Sequence, residues 1–411
     1  MRDASKIDSM TAEDMLERPE TEAIVESLRR FVAREVDPVM AGIEAEGRFP
    51  REIITAMGEA GYFGAAFPEE VGGSDLGFGA VAAISEELSR LRPELGYAMN
   101  LQAMTCPYTI MNWGTQEQVA RFVPDLIAGR AIGMFALTEP GGGSDAAGSM
   151  RTRAVRHGDR YVLDGSKIWI TFAHAADTGV LFARTDPDSG HRGITAFIVE
   201  PKRFPGFRAD PIPTRGLSRV FASNAVFLDG FEVPAENRLG AEGEGFRIAM
   251  HALDFGRLTV ASRLTGLAQA LLDISRDYAR TRVLRGRPIA EFQMIQHLIA
   301  DMATEVEAAR LMTHRAAALA DADRPFTGPI SRAKYFASQT AKRAAAAATE
   351  IFGGYALAEE YRVGYLTAYV NMLNAGEGTA NVQRILIAED ALGTRPADRH
   401  GIPPRRWRWA A

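Results

Sequence analysis

Apolar residues recur at helical spacing along the first third of the chain. Ile24, Leu28, Phe31 and Val32 fall on one face of a helix. Pro50 opens a second helix through Ile53, Ile54 and Met57, which ends between Gly58 and Gly61. The turn residues of Phe67-Pro68-Glu69-Glu70-Val71-Gly72-Gly73 then break the pattern. Helices follow over about 79–91 and 95–112, and Thr115-Gln116-Glu117-Gln118 reads as a capped start for a helix through Val119, Phe122 and Leu126. Ile132 to Leu137 is a short apolar run, after which the period changes to that of strands. Tyr161 to Leu163, Lys167 to Thr171, Val180 to Ala183, Ile194 to Val199 and Ala225 to Leu228 all fit, with Asp164-Gly165 as a hairpin turn. Too few residues separate them for helical crossovers, which predicts an antiparallel barrel or sandwich. From about Glu244 the helical period returns. It runs from Ile248 to Thr281, then from Ala290 to Ala320 with Ile295, Leu298, Ile299, Met302 and Val306 on one face. The alanine-rich stretch from Ser331 to Ile351, then Leu357 to Leu373 and Thr379 to Leu392, complete a bundle. Val382, Ile385, Leu386 and Ile387 are expected to share the apolar face of the last helix. The predicted class is α+β and mostly helical. A helical domain covers 1–131, an antiparallel β-domain 132–241, a four-helix-type bundle 242–393 and a basic tail 394–411.

At 411 residues the chain is long enough for two or three domains with sizeable cores. With 46% hydrophobic and 24% charged residues the composition is that of a globular protein. A net charge of −5 speaks against nucleic acid or an anionic membrane as partner. The single cysteine, Cys106, excludes an intramolecular disulfide and a cysteine-based metal cluster. The seven histidines show no HExxH or paired spacing, so no metal site is expected. No apolar run approaches the roughly 18 residues of a membrane span. Met1 to Glu20 is polar and partly acidic, unlike a signal peptide, and a cytoplasmic location is expected. The tail through Arg405-Arg406-Trp407-Arg408-Trp409 reads as solvated or surface-docked.

Candidate chemistry centres on Asn374-Ala375-Gly376-Glu377-Gly378-Thr379. A carboxylate between two glycines, just before a helix that Thr379 can cap, suits a general base that a flat ligand can approach. Its plain alternative is a capped helix entry with a solvated Glu. Leu137-Thr138-Glu139-Pro140-Gly141-Gly142-Gly143-Ser144-Asp145 leaves a strand for a glycine-rich loop, which can present N–H groups to a ligand or simply connect strands. It is not a GxGxxG motif opening a helix, so no nicotinamide site is implied. Trp169-Ile170-Thr171 places an aromatic face beside a hydroxyl at a strand end. Arg257 either binds a polar ligand group or pairs with Asp254 at i,i+3. Arg282 either clamps a pyrophosphate or favours a helix C-terminus, and Gly353-Gly354 is a helix cap or a ligand contact.

Taken together, the order and spacing of these stretches resemble the acyl-CoA dehydrogenase family over about residues 20 to 393. The marks are Leu137-Thr138-Glu139-Pro140 with Gly143-Ser144-Asp145, Trp169-Ile170-Thr171, Pro234-Ala235-Glu236-Asn237-Arg238, Gly286 with Pro288-Ile289, Gly353-Gly354, and Glu377-Gly378-Thr379 with Gln383-Arg384. The resemblance implies FAD and removal of an α-proton by Glu377, with the β-hydrogen leaving as hydride to the flavin. It implies FAD contacts at Leu137, Thr138, Gly143, Ser144, Trp169, Ile170, Thr171, Arg282, Phe292, Gln293, Glu350, Gly353, Gly354, Thr379 and Asn381. Ser144, Asp254, Arg257 and Gly378 are the implied substrate contacts. An acyl-CoA or acyl-carrier-protein thioester is the implied substrate, an electron-transfer flavoprotein the acceptor, and a homodimer or homotetramer the assembly. Some relatives carry the base on the long helix, where Gly256 stands here and cannot serve. Relatives that decarboxylate a diacid carry an arginine where Gly96 stands, which argues against decarboxylation.

The sequence also departs from the pattern. Glu350 replaces a usual Gln and Arg285 a usual aromatic, and the two are expected to compensate each other near the cofactor. Gly376 replaces a usual Tyr, and Tyr365-Leu366-Thr367-Ala368-Tyr369 replaces a charged helix, which brings a carrier-bound substrate into view. Two other readings compete. A flavin oxidase or monooxygenase on this scaffold is disfavoured by the intact Glu377. A nucleic-acid-binding flavoprotein is disfavoured by the acidity of the chain and by its ending soon after Leu392.

Overall fold

A computed structural model describes residues 19–398. The basic tail beyond 398 and the leading segment lie outside the described residues. The first helices are α1 (Pro19–Phe31), which continues through a π-helical stretch (Val32–Val36) into α2 (Asp37–Glu46), then α3 (Arg51–Glu59) and α4 (Phe78–Leu91). Leu28, Phe31, Ile53, Ile54 and Met57 are buried, as their spacing predicts. The expected helix over 95–112 is divided. A short turn (Gly96–Ala98) runs into a π-helical segment (Met99–Thr105), and α5 (Pro107–Trp113) follows. Pro107 takes the first position of α5, where its missing N–H costs nothing. α6 (Gln116–Ile127) begins with the predicted capping box: Gln118 N–H donates to the Thr115 hydroxyl while the Gln118 side chain accepts from Thr115 N–H.

The middle strands are β1 (Gly133–Ala136), β2 (Arg153–His157), β3 (Arg160–Thr171), β4 (Thr178–Arg184), β5 (Ile194–Val199), β6 (Phe207–Pro211), β7 (Ser223–Pro234) and β8 (Arg238–Leu239). They form one sheet in the order β6-β7-β3-β2-β4-β5-β8, with β1 beside β4. Pairing is mostly antiparallel, whereas β1 and β2 meet β4 in parallel. β4 and β5 are buried on both faces, which explains their unbroken apolar runs. Val180, Phe182, Ile194 and Ile198 belong to the helical core, and Leu181, Ala183, Phe197 and Val199 to a second core behind the sheet.

Asp164-Gly165 is not a hairpin turn. β3 runs unbroken through both residues, and its register against β7 slips there. A Cβ on Gly165 would stand 2.6 Å from Thr152 Cα, so this glycine serves a bulge. The turn between β2 and β3 lies at Gly158-Asp159, where Gly158 has φ +63°. Asp-Gly signals both features, and the sequence does not distinguish them.

The C-terminal helices are α7 (Gly245–Thr281), α8 (Gln293–Asp321), α9 (Thr327–Phe352), α10 (Val363–Ala375) and α11 (Ala380–Ala391). A two-stranded ribbon, β9 (Val283–Leu284) with β10 (Arg287–Pro288), joins α7 to α8. Thr379 caps α11 as predicted, accepting from Val382 N–H at 3.3 Å. The predicted face of α11 is only partly correct: Leu386 is buried, and Ile385 is exposed. Among the described residues, no helix is long and apolar enough to cross a membrane.

Candidate active site

Glu377 lies in the turn between α10 and α11, and the turn is held in an unusual shape. Glu377 itself takes the left-handed conformation, φ +53°, and Gly378 follows at φ +89°. A non-glycine residue there costs roughly 1–2 kcal/mol and persists when its surroundings fix it. Three side chains do so. Arg257 Nε donates to Glu377 O at 3.3 Å, Gln383 Nε2 donates to Gly378 O at 3.1 Å, and Lys334 Nζ also donates to Gly378 O. A Cβ on Gly378 would meet Gln383 Nε2 at 2.8 Å. Gly376 has ordinary extended geometry, and the nearest atom to its missing Cβ is 4.0 Å away. Only the second of the two glycines is therefore required by the fold.

The carboxylate points at α7. A Cβ on Gly256 would stand 2.7 Å from Glu377 Cδ, so the bare helix backbone at 256 makes the space that the acid fills. Glu377 Oε2 is enclosed and has no hydrogen-bond partner, while Oε1 accepts from Asn100 Nδ2 at 2.8 Å. The Thr259 hydroxyl, one turn along α7 from Gly256, donates to Asn100 Oδ1 at 2.7 Å and so orients the amide. Desolvation lifts the Glu377 pKa above its ordinary value; the Asn100 hydrogen bond and the charges of Arg257, Lys334 and Arg263 partly oppose it. Burial and the neighbouring Arg257 bring the Lys334 pKa down to about 7. Asn100→Leu is expected to move the acid limb of the kcat/KM profile up by about one pH unit, because it removes a hydrogen bond that favours the ionised acid. An unmoved limb would show that Asn100 does not position the base.

Asp254 and Arg257 form the plain i,i+3 ion pair, with Nη1 to Oδ1 at 2.5 Å, and the Thr327 hydroxyl donates to Asp254 Oδ2 at 2.6 Å. Arg257 thus links this pair to the carbonyl of the candidate base. Asn100, Lys334 and Arg263 escaped the sequence reading. None belongs to a local motif, and no sequence signal set them apart from the other polar residues of their helices.

The glycine-rich loop is organised by a buried ion pair. Lys167 Nζ donates to Glu139 Oε1 at 2.7 Å and to Leu137 O at 3.2 Å, and Glu139 accepts from the N–H groups of Arg151 and Thr152. Burial alone would lift the Glu139 pKa, but Lys167 and these donors hold it below the ordinary carboxylate value. Ile168 N–H donates to Thr138 O at 3.0 Å, which ties the loop to the end of β3. There a second slip of register precedes Ile170, and Trp169 turns out of the sheet with φ +61°. Its indole is 56% exposed. Ile170 is buried, and the Thr171 hydroxyl lies 3.3 Å from that of Ser223. Gly143 and Ser144 are exposed. An uncovered indole on strained backbone, beside the half-buried Thr138 and Thr171, fits a flat heteroaromatic ring such as a flavin.

The other predicted cofactor residues gather elsewhere. Arg282 lies about 37 Å beyond Arg257 along α7, at 1.5 Å per residue. Gly245, at the opposite end of that helix, packs on Thr195 of the sheet, where a Cβ would be 2.7 Å from Thr195 C. Arg282 lies over the Tyr355 ring, and Tyr278 stacks on Phe352 at 4.1 Å. These contacts bring the neighbourhood of Phe292, Gln293, Glu350, Gly353 and Gly354 to the far end of the bundle. Gly353 takes φ +58°, and nothing lies within 4 Å of a Cβ built on it or on Gly354. Asn381 is exposed and accepts from Arg384 at 2.8 Å. Among the described residues no ion pair joins Arg285 to Glu350 within the chain. Arg285 instead forms the left-handed apex of the β9–β10 turn, φ +52°, with Gly286 at φ +80°. No cluster of three or more metal-ligating side chains occurs among the described residues.

Family models for the N-terminal, middle and C-terminal domains of acyl-CoA dehydrogenase match residues 18–130, 134–229 and 243–392. The chain is 38% identical over 384 residues to a glutaryl-CoA dehydrogenase of Desulfococcus multivorans, covering 92% of this chain and 98% of the relative. It is 38% identical over 361 residues to the caffeyl-CoA reductase-Etf complex subunit CarC of Acetobacterium woodii, covering 88% and 95%. The solved butyryl-CoA dehydrogenase of Megasphaera elsdenii superposes with a TM-score of 0.87 at 34% identity, covering 92% of this chain and 99% of that one.

Proposed function

The chain belongs to the acyl-CoA dehydrogenase family, whose activity is FAD-dependent dehydrogenation of acyl thioesters, and from this we propose that Glu377 is its catalytic base. The observation that carries the proposal is the enclosed Glu377 carboxylate, one oxygen unpartnered, filling the space left by Gly256. FAD, when bound, supplies the acceptor that takes the β-hydrogen of the acyl chain as hydride. Glu377 takes the α-proton, and a 2-enoyl thioester results. Desolvation makes Glu377 a stronger base than a solvated carboxylate. Charge grows on the thioester oxygen as the proton leaves and must be met by a fixed donor. The backbone N–H of Glu377 donates to no protein acceptor among the described residues and is the donor assigned to that oxygen. Arg257 and Lys334, bonded to the carbonyls of this turn, hold the N–H and the carboxylate in register.

Thr138, Trp169 and Thr171 would hold the flavin ring. Leu137, Ile170, Gly143 and Ser144 would frame it, with Ser144 also reaching the pantetheine arm. Arg282, Phe292, Gln293, Glu350, Gly353 and Gly354 would serve the FAD of a second copy, and Thr379 and Asn381 would complete the site beside the base. A homodimer or homotetramer follows from that division. It is supported by the exposed apolar side chains of Val283, Leu284 and Met294 beside Arg282 and Gln293. The relatives support a CoA thioester and give no support to a carrier-bound one. An electron-transfer flavoprotein as acceptor is supported by the relative whose name places it in an Etf complex, and a cytoplasmic location is part of the same reading.

The test is anaerobic titration of the purified flavoprotein with acyl-CoA thioesters. Bleaching of the flavin band by an acyl-CoA is the expected result. A bound flavin that no thioester bleaches, yet that turns over with oxygen, would replace this reading with an oxidase.

A further inference from the structure

Arg263 lies two turns beyond Gly256 on the same face of α7, about 10 Å along the axis. Only 2% of it is exposed. Its Nε and Nη2 are enclosed and have no hydrogen-bond partner. Among the described residues no carboxylate forms an ion pair with it; the titratable groups facing it are Tyr97, Tyr369 and Glu377. A buried guanidinium without a counter-charge is strongly unfavourable unless something else fills its N–H groups. The Tyr97 ring, 4.9 Å from the guanidinium carbon, meets its face and leaves those N–H groups unfilled.

Space has been made for this side chain. A Cβ on Gly96 would stand 2.5 Å from Arg263 Nε and 2.7 Å from Ser89 Oγ, and Ser89 Oγ is a second enclosed polar atom without a partner. Tyr97 and Tyr369, with ring centroids 6.3 Å apart, pack beside it. Side chains on a helix lean toward its N-terminus, so the guanidinium is directed back toward Gly256 and the Glu377 carboxylate. The charge of Arg263 is in turn among those acting on Glu377. The missing arginine at 96 therefore does not leave this end of the site without a cation.

We propose that Arg263, assisted by the Ser89 hydroxyl, receives a carboxylate at the far end of the acyl chain, so that the preferred substrate is a short dicarboxylic acyl-CoA. Nε and Nη2 form one fork of the guanidinium, the arrangement that takes both oxygens of a carboxylate. Arg263 makes and breaks no bond: it positions the chain, and the two hydrogens leave as described for Glu377. The inference rests on that reading of Glu377.

The experiment compares glutaryl-CoA with butyryl-CoA on the FAD-loaded enzyme, by anaerobic bleaching and by steady-state turnover with an artificial acceptor. Wild type is expected to favour glutaryl-CoA in kcat/KM. In Arg263→Gln the ratio of glutaryl-CoA to butyryl-CoA falls roughly 10- to 100-fold, mainly through KM, as for loss of a hydrogen bond to a charged group. Arg263→Lys restores part of it, and Ser89→Ala lowers it less. FAD content and melting temperature report folding. Should Arg263→Gln not fold, the wild-type preference and Ser89→Ala decide. A wild type that favours butyryl-CoA, or a ratio unchanged in these variants, overturns the proposal and leaves Glu377 as base. Failure of both thioesters to bleach the wild-type flavin overturns the proposal as well, and only if no other acyl-CoA bleaches it does the Glu377 reading fall with it.

Discussion

Glu377→Gln is expected to lower kcat by about 10³-fold or more while the protein keeps its FAD spectrum, because the amide matches the acid in size and cannot accept the proton. The glutamine can still contact Asn100 and lie over Gly256, so the turn should keep its shape. The wild-type pH profile should carry the same signature. The base works only when ionised, and desolvation raises its pKa above the ordinary 4.5. Activity is therefore lost as pH falls through a value higher than that of a solvated carboxylate, and is retained above it. Stopped-flow bleaching at several pH values measures both effects. Near-normal bleaching by the variant would place the base elsewhere.

Lys167→Met should destabilise the protein by about 3–5 kcal/mol, since it leaves the Glu139 carboxylate buried without its counter-charge. Both side chains are almost wholly enclosed, at 0% and 4% exposure, so water cannot replace the lost ammonium. The same ammonium holds Leu137 O, at the entry to the glycine-rich loop. Loss of FAD on gel filtration should accompany the loss of stability. Urea denaturation followed by tryptophan fluorescence, with FAD stoichiometry, checks both. Adding Glu139→Gln to the variant should recover part of the stability, because the remaining amide needs no counter-charge. A single variant as stable as wild type would show that the pair is not needed.

The helices were legible because each buries one face, and Leu28, Met57, Val306 and Leu386 lie where their period puts them. The capping residues Thr115 and Thr379 were legible because a cap is a local hydrogen bond. What could not be read depended on distant partners. Asp164-Gly165 became a bulge because β7 and Thr152 lie against it, and no local signal reports either. Ile385 matches an apolar period and yet faces outward. The candidate base was found from its flanking residues, but the groups that act on it come from three other helical segments. Asn100, Arg257 with Arg263, and Lys334 lie far from Glu377 in the chain and reach it only through the packed bundle. The glycines show the same limit. The sequence pointed to those beside Glu377, and the one that admits its carboxylate is Gly256, on another helix.

Gly256 also constrains how such a site can change over generations. Any side chain at 256 would begin inside the volume held by the Glu377 carboxylate. An acid gained on the helix while the one in the turn remains must displace the Glu377 carboxylate, the movable end of a flexible side chain, and losing the turn acid first leaves a protein without a proton acceptor. The two acids thus compete for one space and cannot both occupy it. A lineage could move its acid from turn to helix by gaining the second first, with the turn acid swung aside, and losing the older one afterwards.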